Sequence, residues 1–203
     1  MSSREKFTAG LLSLGLILAL LPLSAKRSLT VNPQKLLTVV LDNKISYTVD
    51  ELAKFVISED STVQIIDLRS QEEFRSFNIP GSVNIPYNEL LNSNPGLYLN
   101  NKEIKTIFYS NGERDANYAL IITRGMNYTN TYVMEGGLNE WFKTVMNSSF
   151  SGERISAREN AIFETRTRAK ILFTDINSLP DSLKLKFYES RHLEASSLDG
   201  GCD

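Results

Sequence analysis

The sequence predicts a three-layer α/β fold, in which helices flank both faces of a central parallel sheet. Short β-branched runs alternate with helical segments over roughly 100 residues, which is the pattern of parallel sheets. The run at residues 63–68 is typical of a strand buried on both faces. Because ligands bind beyond the carboxyl ends of such strands, the loop after residues 105–109 is the expected site.

Composition limits both the architecture and the chemistry. The chain has 203 residues, of which 41% are hydrophobic, so it can bury one core with extensions. With 22 basic and 24 acidic residues it lacks the positive field of a nucleic-acid binder. The single cysteine, Cys202, excludes an internal disulfide framework and a cysteine-built zinc site. The single histidine, His192, excludes most other catalytic and metal-binding arrangements. We therefore expect no metal and no cofactor.

Residues 1–27 predict either a signal peptide or a membrane anchor. The run 7–25 is uncharged, follows Arg4, Glu5 and Lys6, and stops at two basic residues. Its length lies near that of a spanning helix, and Leu23 is a poor match to a signal-peptide cleavage site, so cleavage and retention both stay open. Either way, we expect an exported protein of the periplasm or the cell membrane, with this segment contacting the bilayer.

The remaining elements follow in order. Residues 28–46 are a lead-in, and the domain at 47–147 opens with Thr48 and Glu51 at capping-box spacing. We then expect a strand at 63–68, a short helix at 72–74, a turn at 79–81, a strand at 83–85, a helix at 87–91, a strand at 105–109, a helix from Ala116 closed by Gly125, a strand at 131–134, and a helix containing Trp141.

The C-terminal part, residues 151–198, predicts a helical extension. Apolar residues recur at near-heptad spacing, and Pro180 is placed to open a second helix containing Leu183 and Phe187. Its apolar stripe must cover either its own domain or a partner. Acidic residues separate its basic residues, which predicts a solvated face; these are Arg154, Arg158, Arg166, Arg168 and Lys170. Residues 199–203 form a flexible tail carrying Cys202.

Three sequence blocks point to a known family. Residues 67–74 begin with Asp-Leu-Arg, residues 78–86 read Asn-Ile-Pro-Gly-Ser-Val-Asn-Ile-Pro, and residues 132–141 contain Glu-Gly-Gly-Leu-Asn-Glu-Trp. In this order they resemble the rhodanese-like domain of exported or membrane-anchored bacterial proteins. The resemblance covers about half of the chain and implies the rhodanese three-layer fold.

Several residues in these blocks have structural interpretations. We expect Asp67 and Arg69 to form an ion pair that ties the strand end to neighbouring loops. Pro80 and Gly81 belong to a turn, and Trp141 to the core. Gly136 and Gly137 suit a turn that needs positive φ or close backbone approach.

The expected site departs from the family pattern. Active rhodaneses start this loop with a cysteine that becomes a persulfide, and the resemblance places Ser110 at that position. It therefore implies a degenerate loop without catalytic residues, comprising Ser110, Asn111, Gly112, Glu113, Arg114 and Asp115. The loop can bind a small anion or a protein through Ser110 and Arg114, or it makes only a turn and caps the next helix.

Two functions stay open. The first is a catalytically degenerate module with a binding or scaffold role towards an unknown protein partner. The alternative is a sulfurtransferase or sulfur carrier that uses Cys202 or an external thiol. A third hypothesis, a phosphatase of the same fold, has less support, because phosphatase chemistry on this fold also needs the loop cysteine.

Overall fold

A five-stranded parallel sheet lies at the centre of the computed structural model and confirms the predicted α/β fold. The strands are β1 (Ser46–Tyr47), β2 (Val63–Asp67), β3 (Val83–Asn84), β4 (Lys105–Tyr109) and β5 (Thr131–Met134). They lie in the order β1-β5-β4-β2-β3, and all neighbouring pairs are parallel. β1 was not predicted, since its two residues, at the boundary between the expected lead-in and the domain, are too few to show a period.

The structure describes residues 44–92, 95–149, 156–180, 182–184, 186 and 187, together with Arg4, Phe7 and Ser13. The chain divides into two compact units, residues 1–30 and 31–203, and the strands and helices named here belong to the second. Among the described residues, no helix has the length and apolar character needed to cross a bilayer. Most of the run 7–25 lies outside them, as do the tail 199–203 and His192, so their interpretations stay predictions.

Helices cover both faces of this sheet. They are α1 (Val49–Ser58), α2 (Gln71–Ser76), α3 (Tyr87–Asn92), α4 (Gly96–Leu99), α5 (Arg114–Gly125), α6 (Gly137–Trp141), a π-helical turn (Phe142–Met146) and α7 (Ala157–Ser178). All predicted helices of the domain are present, while α4 and the π-helical turn were not predicted. α5 does end at Gly125, but the left-handed residue after it is Asn127, with φ 73°.

The predicted capping box opens α1. The Glu51 N–H donates to the Thr48 hydroxyl at 3.2 Å, and the Thr48 N–H donates to the Glu51 carboxylate at 2.9 Å. Both contacts satisfy backbone N–H groups that would otherwise lack a partner at the helix start. This local signal therefore sets where the first helix begins.

Two hydrophobic cores lie on opposite faces of the sheet. Ile65 and Ile107 point into a core shared with α1, α6 and α7, whereas Ile66 and Phe108 point into one shared with α3 and α5. This alternation follows from the two-residue period of a strand. Each fully buried side chain of this kind contributes about 1.5–3 kcal/mol, so the central strands anchor both layers.

α7 packs on its own domain. Phe173 is buried against Trp141 and Phe142, with ring centroids 6.2 and 5.6 Å apart. The expectation of a solvated basic face was wrong for Arg166, whose Nε and Nη2 each lie 2.7 Å from the carboxylate oxygens of Asp50 in α1. The extension therefore forms part of the same core instead of standing apart.

A second helical segment follows α7. Residues 182–184, 186 and 187 are helical, and the N–H groups of Leu183 and Lys184 donate to the Pro180 carbonyl at 2.9 and 3.0 Å. Pro180 has no N–H to leave unsatisfied at a helix start, which is why it is tolerated there. The predicted role of Pro180 is thus confirmed for these residues.

Candidate functional site

The candidate site is the loop between β4 and α5, at the carboxyl edge of the sheet. β4 lies between β5 and β2, so this loop emerges from the middle of the sheet with turns from neighbouring strands on either side. Asp67 ends β2 opposite Tyr109 at the end of β4. This is the position at which parallel sheets place their ligands, as the sequence predicted.

The turn before α6 holds the loop backbone from one side. The Leu138 N–H donates to the Ser110 carbonyl at 2.9 Å, and the Asn139 N–H donates to the Asn111 carbonyl at 3.0 Å. Gly137 makes this approach feasible, because a Cβ there would lie 2.6 Å from the Ser110 carbonyl oxygen. Its φ of 60°, like the 69° of Gly136, also favours glycine. Both predicted reasons for the glycine pair are confirmed.

Two carboxylates tie the loop side chains to their surroundings. The Asn111 amide donates to Glu73 of α2 at 2.8 Å. The Gly136 N–H donates to the Glu113 carboxylate at 2.6 Å. The hydrogen bond from Asn111, followed by those from Ser70, lowers the pKa of Glu73 below its ordinary value. The loop is therefore fixed from α2 on one side and α6 on the other.

Ser110 lies at the base of this loop. It is only 6% exposed, and within the described part of the chain its hydroxyl forms no hydrogen bond. No base is thus positioned there to remove its proton. Ser110 also does not cap α5: the N-cap residue is Glu113, which makes no side-chain capping bond. The capping half of the structural interpretation was therefore wrong, while the turn itself is present.

The loop has opposing electrostatic features. The backbone N–H groups of residues 111–115 have no acceptor among the described residues, and at the start of α5 they favour a negative charge. Glu113 and Asp115 oppose such a charge. Arg114, the only cation in the loop, is 79% exposed, and its Nε lies 3.1 Å from Asp115. The two predicted binding residues therefore differ in setting: Ser110 is buried and Arg114 is solvated.

Asp67 and Arg69 form the predicted ion pair below the neighbouring loops. Arg69 Nη2 donates to the Asp67 carboxylate at 2.6 Å and to the Phe77 carbonyl at 2.7 Å. Burial by itself would lower the pKa of Arg69, but the hydrogen bonds and charge of Asp67 outweigh it and raise that pKa. Both side chains are buried, so a structural role is the appropriate interpretation.

The turn at Pro80 and Gly81 is hydrogen-bonded to Tyr109, a residue that was not predicted to belong to the site. The Ser82 N–H donates to the Ile79 carbonyl at 3.0 Å, and Gly81 has φ 79°. Beneath them, the hydroxyl of buried Tyr109 accepts from the Ile79 N–H at 3.1 Å and lies 3.0 Å from the Ser82 hydroxyl. Burial raises the pKa of Tyr109 well above its usual value, so this phenol stays neutral.

Glu73 was not predicted as a site residue, and Glu113 was predicted as part of the loop but without its hydrogen bond from the Gly136 N–H. A capping box formed by Ser70 and Glu73 signals the start of α2, but not its contact with Asn111. In the residue ranges that the structure covers, no group of three His, Cys, Asp or Glu side chains is arranged to hold a metal ion. Trp141 is fully buried in the core, as predicted.

Comparison with known proteins agrees with this architecture. A family model for the rhodanese-like domain matches residues 48–144. The thiosulfate:glutathione sulfurtransferase of Saccharomyces cerevisiae is 25% identical over 115 residues, covering 50% of this chain and 80% of that protein. Two solved single-domain sulfurtransferases, RDL2 of Saccharomyces cerevisiae and human TSTD1, are 21% and 23% identical, with a TM-score of 0.43 each. Each match covers 50% of this chain, and 91% and 98% of the respective relative.

The matched residues contain four of the five strands, β2 to β5, together with the loop and the glycine turn at the carboxyl edge of the sheet; β1 lies just before them. They begin at the N-cap of α1 and end within the π-helical turn that follows α6. Residues 48–144 of this chain therefore form a rhodanese-like domain.

Proposed function

We propose that this chain is a rhodanese-like binding module that does not carry out the ordinary sulfurtransferase cycle. The observation that carries the proposal is Ser110, a buried serine whose hydroxyl has no hydrogen-bond partner among the described residues, at the position where the family resemblance expects the reactive cysteine. The loop around it is held by hydrogen bonds to Glu73 of α2 and from the turn before α6. Retention of the scaffold without its nucleophile favours recognition over catalysis.

The chemistry of the cycle requires a sulfur nucleophile. A thiolate attacks the outer sulfur of thiosulfate, the sulfur–sulfur bond breaks, sulfite leaves, and the enzyme becomes a persulfide. Loop N–H groups at a helix start can lower a thiol pKa from about 8.5 until the thiolate forms at neutral pH. A serine hydroxyl needs an adjacent base instead, and it forms no stable equivalent of a persulfide. Ser110 therefore cannot replace the cysteine in this cycle.

Location and partner form part of the proposal. The uncharged run 7–25 between basic flanks supports export to the periplasm or attachment to the cell membrane. Exposed loops on a rigid scaffold are the usual place for protein recognition, and Arg114, Asn111 and Glu113 are exposed on this one. The proposed module therefore presents its loop to a protein partner while its N-terminal segment contacts the bilayer.

Sulfur transfer from thiosulfate to cyanide by the full chain tests the proposal. We expect the natural chain and Ser110→Ala to give no transfer above the buffer background. We expect Ser110→Cys to gain activity, because backbone N–H groups without an acceptor among the described residues lie at the start of α5 and would stabilise a thiolate. An active natural chain would overturn the proposal. If Cys202→Ser then removed that activity, the tail cysteine would be the sulfur carrier.

A further inference from the structure

A polar groove lies between α2 and the helical segment that follows α7. It has a volume of about 730 Å³, and its lining residues are Gln71, Glu72, Arg75, Ser76 and Lys184. Four of them belong to α2, and Lys184 belongs to the helical segment. None of them belongs to the loop between β4 and α5. The groove is therefore a second place at which a ligand can enter, and the proposed function does not use it.

Lys184 is a buried lysine, with 8% of its surface exposed. Its Nζ donates to the Arg75 carbonyl at 3.3 Å, which joins the helical segment to α2. Among the described residues, no carboxylate lies within ion-pair distance of this ammonium, and no other acceptor bonds to it. Lysines are seldom buried this deeply without an anionic partner, and an ammonium has three hydrogens to donate. Lys184 thus brings an uncompensated charge and two further donors to the groove.

Arg75 supplies a second positive charge to the same groove. It is exposed on α2, and in the part of the chain that the structure describes its guanidinium forms no hydrogen bond or ion pair. Glu72 is the one carboxylate of the lining, and no ion pair joins it to Arg75, three residues later on α2. Two cations against one carboxylate give the groove a net positive charge, which favours an anion.

A structural role explains only part of this arrangement. α2 ends at Ser76, so its last carbonyls, including that of Arg75, carry a partial negative charge that attracts a cation. Lys184 satisfies one of them through the 3.3 Å contact. That contact uses one of the three ammonium hydrogens, and it does not account for the Arg75 guanidinium on the same groove. An anion between the two cations would account for both.

We propose that Lys184 and Arg75 bind a small oxyanion of the phosphate class in this groove. A guanidinium matches two phosphate oxygens with parallel hydrogen bonds, and an ammonium adds a point charge. The amide of Gln71 lines the same groove and can donate to a further oxygen. Glu72 repels the anion and so limits its affinity. The site does not include Ser110, so its test and the sulfur-transfer test have separate outcomes.

Thermal unfolding of the full chain in sodium phosphate, and in sodium chloride of equal ionic strength, tests this inference. Phosphate is excluded from protein surfaces and raises the midpoint of every variant, but only bound phosphate makes the rise depend on particular side chains. We expect a smaller rise in Lys184→Met and in Arg75→Gln, with about tenfold weaker apparent affinity in each, and a larger rise in Glu72→Gln. Lys170→Met, which removes an exposed lysine of α7, is the matched control and should show the natural rise.

Arg75→Gln decides the outcome even if Lys184→Met fails to fold, because Arg75 is exposed and its removal empties no buried position. The inference would be overturned if Arg75→Gln kept the natural rise in phosphate. It would equally be overturned if Lys170→Met lost as much of that rise as Lys184→Met. Lys184 would then serve only to satisfy the end of α2.

Discussion

At the scale of single residues, Gly137 determines how closely two turns approach at the carboxyl edge of the sheet. A Cβ at this position would lie 2.6 Å from the Ser110 carbonyl oxygen and 2.8 Å from that of Gly112. Both obstacles are backbone atoms, which cannot rotate away as a flexible side chain could. The glycine therefore positions the candidate loop through close packing of two backbone segments.

We predict that Gly137→Ala destabilises the domain by roughly 1–3 kcal/mol from its positive φ, with the backbone clash adding to this loss. Gly112→Ala is the matched control, since a Cβ at Gly112 meets no atom within 4 Å. Urea denaturation of the two variants measures the difference. Equal unfolding free energies for both variants would contradict the close approach described here.

At the scale of secondary-structure elements, three helices start with the same capping box. Thr48 and Glu51 open α1, and Ser70 and Glu73 open α2. Ser156 and Glu159 open α7. In each box a carboxylate accepts a hydrogen bond from the N-cap backbone N–H, so the charged form of the glutamate is the stabilising one.

These carboxylates make stability depend on pH in one direction. The pKa of Glu73 is lowered first by Asn111, and that of Glu159 by the Ser156 backbone. Partial burial opposes the shift at Glu51, but the bonds from Thr48 and Lys44 outweigh it and lower that pKa too. A pKa lowered by folding stabilises the protein above the ordinary value of 4.5, and this contribution is lost as pH falls through the lowered value.

We therefore predict that the free energy of unfolding falls as pH drops below about 4.5, with no loss from these boxes near neutral pH. The triple variant Glu51→Gln, Glu73→Gln and Glu159→Gln keeps the capping geometry but does not titrate there. Its stability should fall less steeply in acid. Urea denaturation between pH 3 and 7 compares the two proteins, and parallel curves would refute a role for these glutamates.

At the scale of the whole molecule, α7 contributes buried side chains to the domain core, although it lies outside the residues that match the family model. The matched residues end at 144, yet Phe173 of α7 packs against Trp141 and Phe142. Asn177 also donates to the Asn78 carbonyl and accepts from the Asn78 N–H, both at 2.9 Å. We infer that the domain and its C-terminal helix unfold together.

Phe173→Ala should cost about 3–5 kcal/mol, because it empties a buried position between two layers. Ile171→Ala on the same helix is the control: Ile171 is 55% exposed, so its loss should stay within about 0.5 kcal/mol. Trp141 is the only tryptophan, so its fluorescence reports on this core. We expect fluorescence and circular dichroism to show one coincident transition in the natural chain. Separate transitions would show that α7 unfolds independently.

Much of the architecture could be predicted because it depends on local chemistry. β-branched runs, the Thr48 capping box and the two glycines indicated the strands, the first helix and the close turn. The loop at the carboxyl end of β4 followed from parallel topology. β1 escaped prediction because two residues carry no periodicity, and it forms only by pairing with β5.

The sequence by itself therefore determined the order of the elements, the family resemblance and the serine in the loop. Only the tertiary structure decided which distant side chains meet: Asn111 with Glu73, Glu113 with the Gly136 N–H, and Arg166 with Asp50. These partners are 38, 23 and 116 residues apart. Hydrophobic periodicity in a sequence indicates which face of a helix or strand is apolar. Which polar side chains form hydrogen bonds or ion pairs with each other depends on how those elements pack.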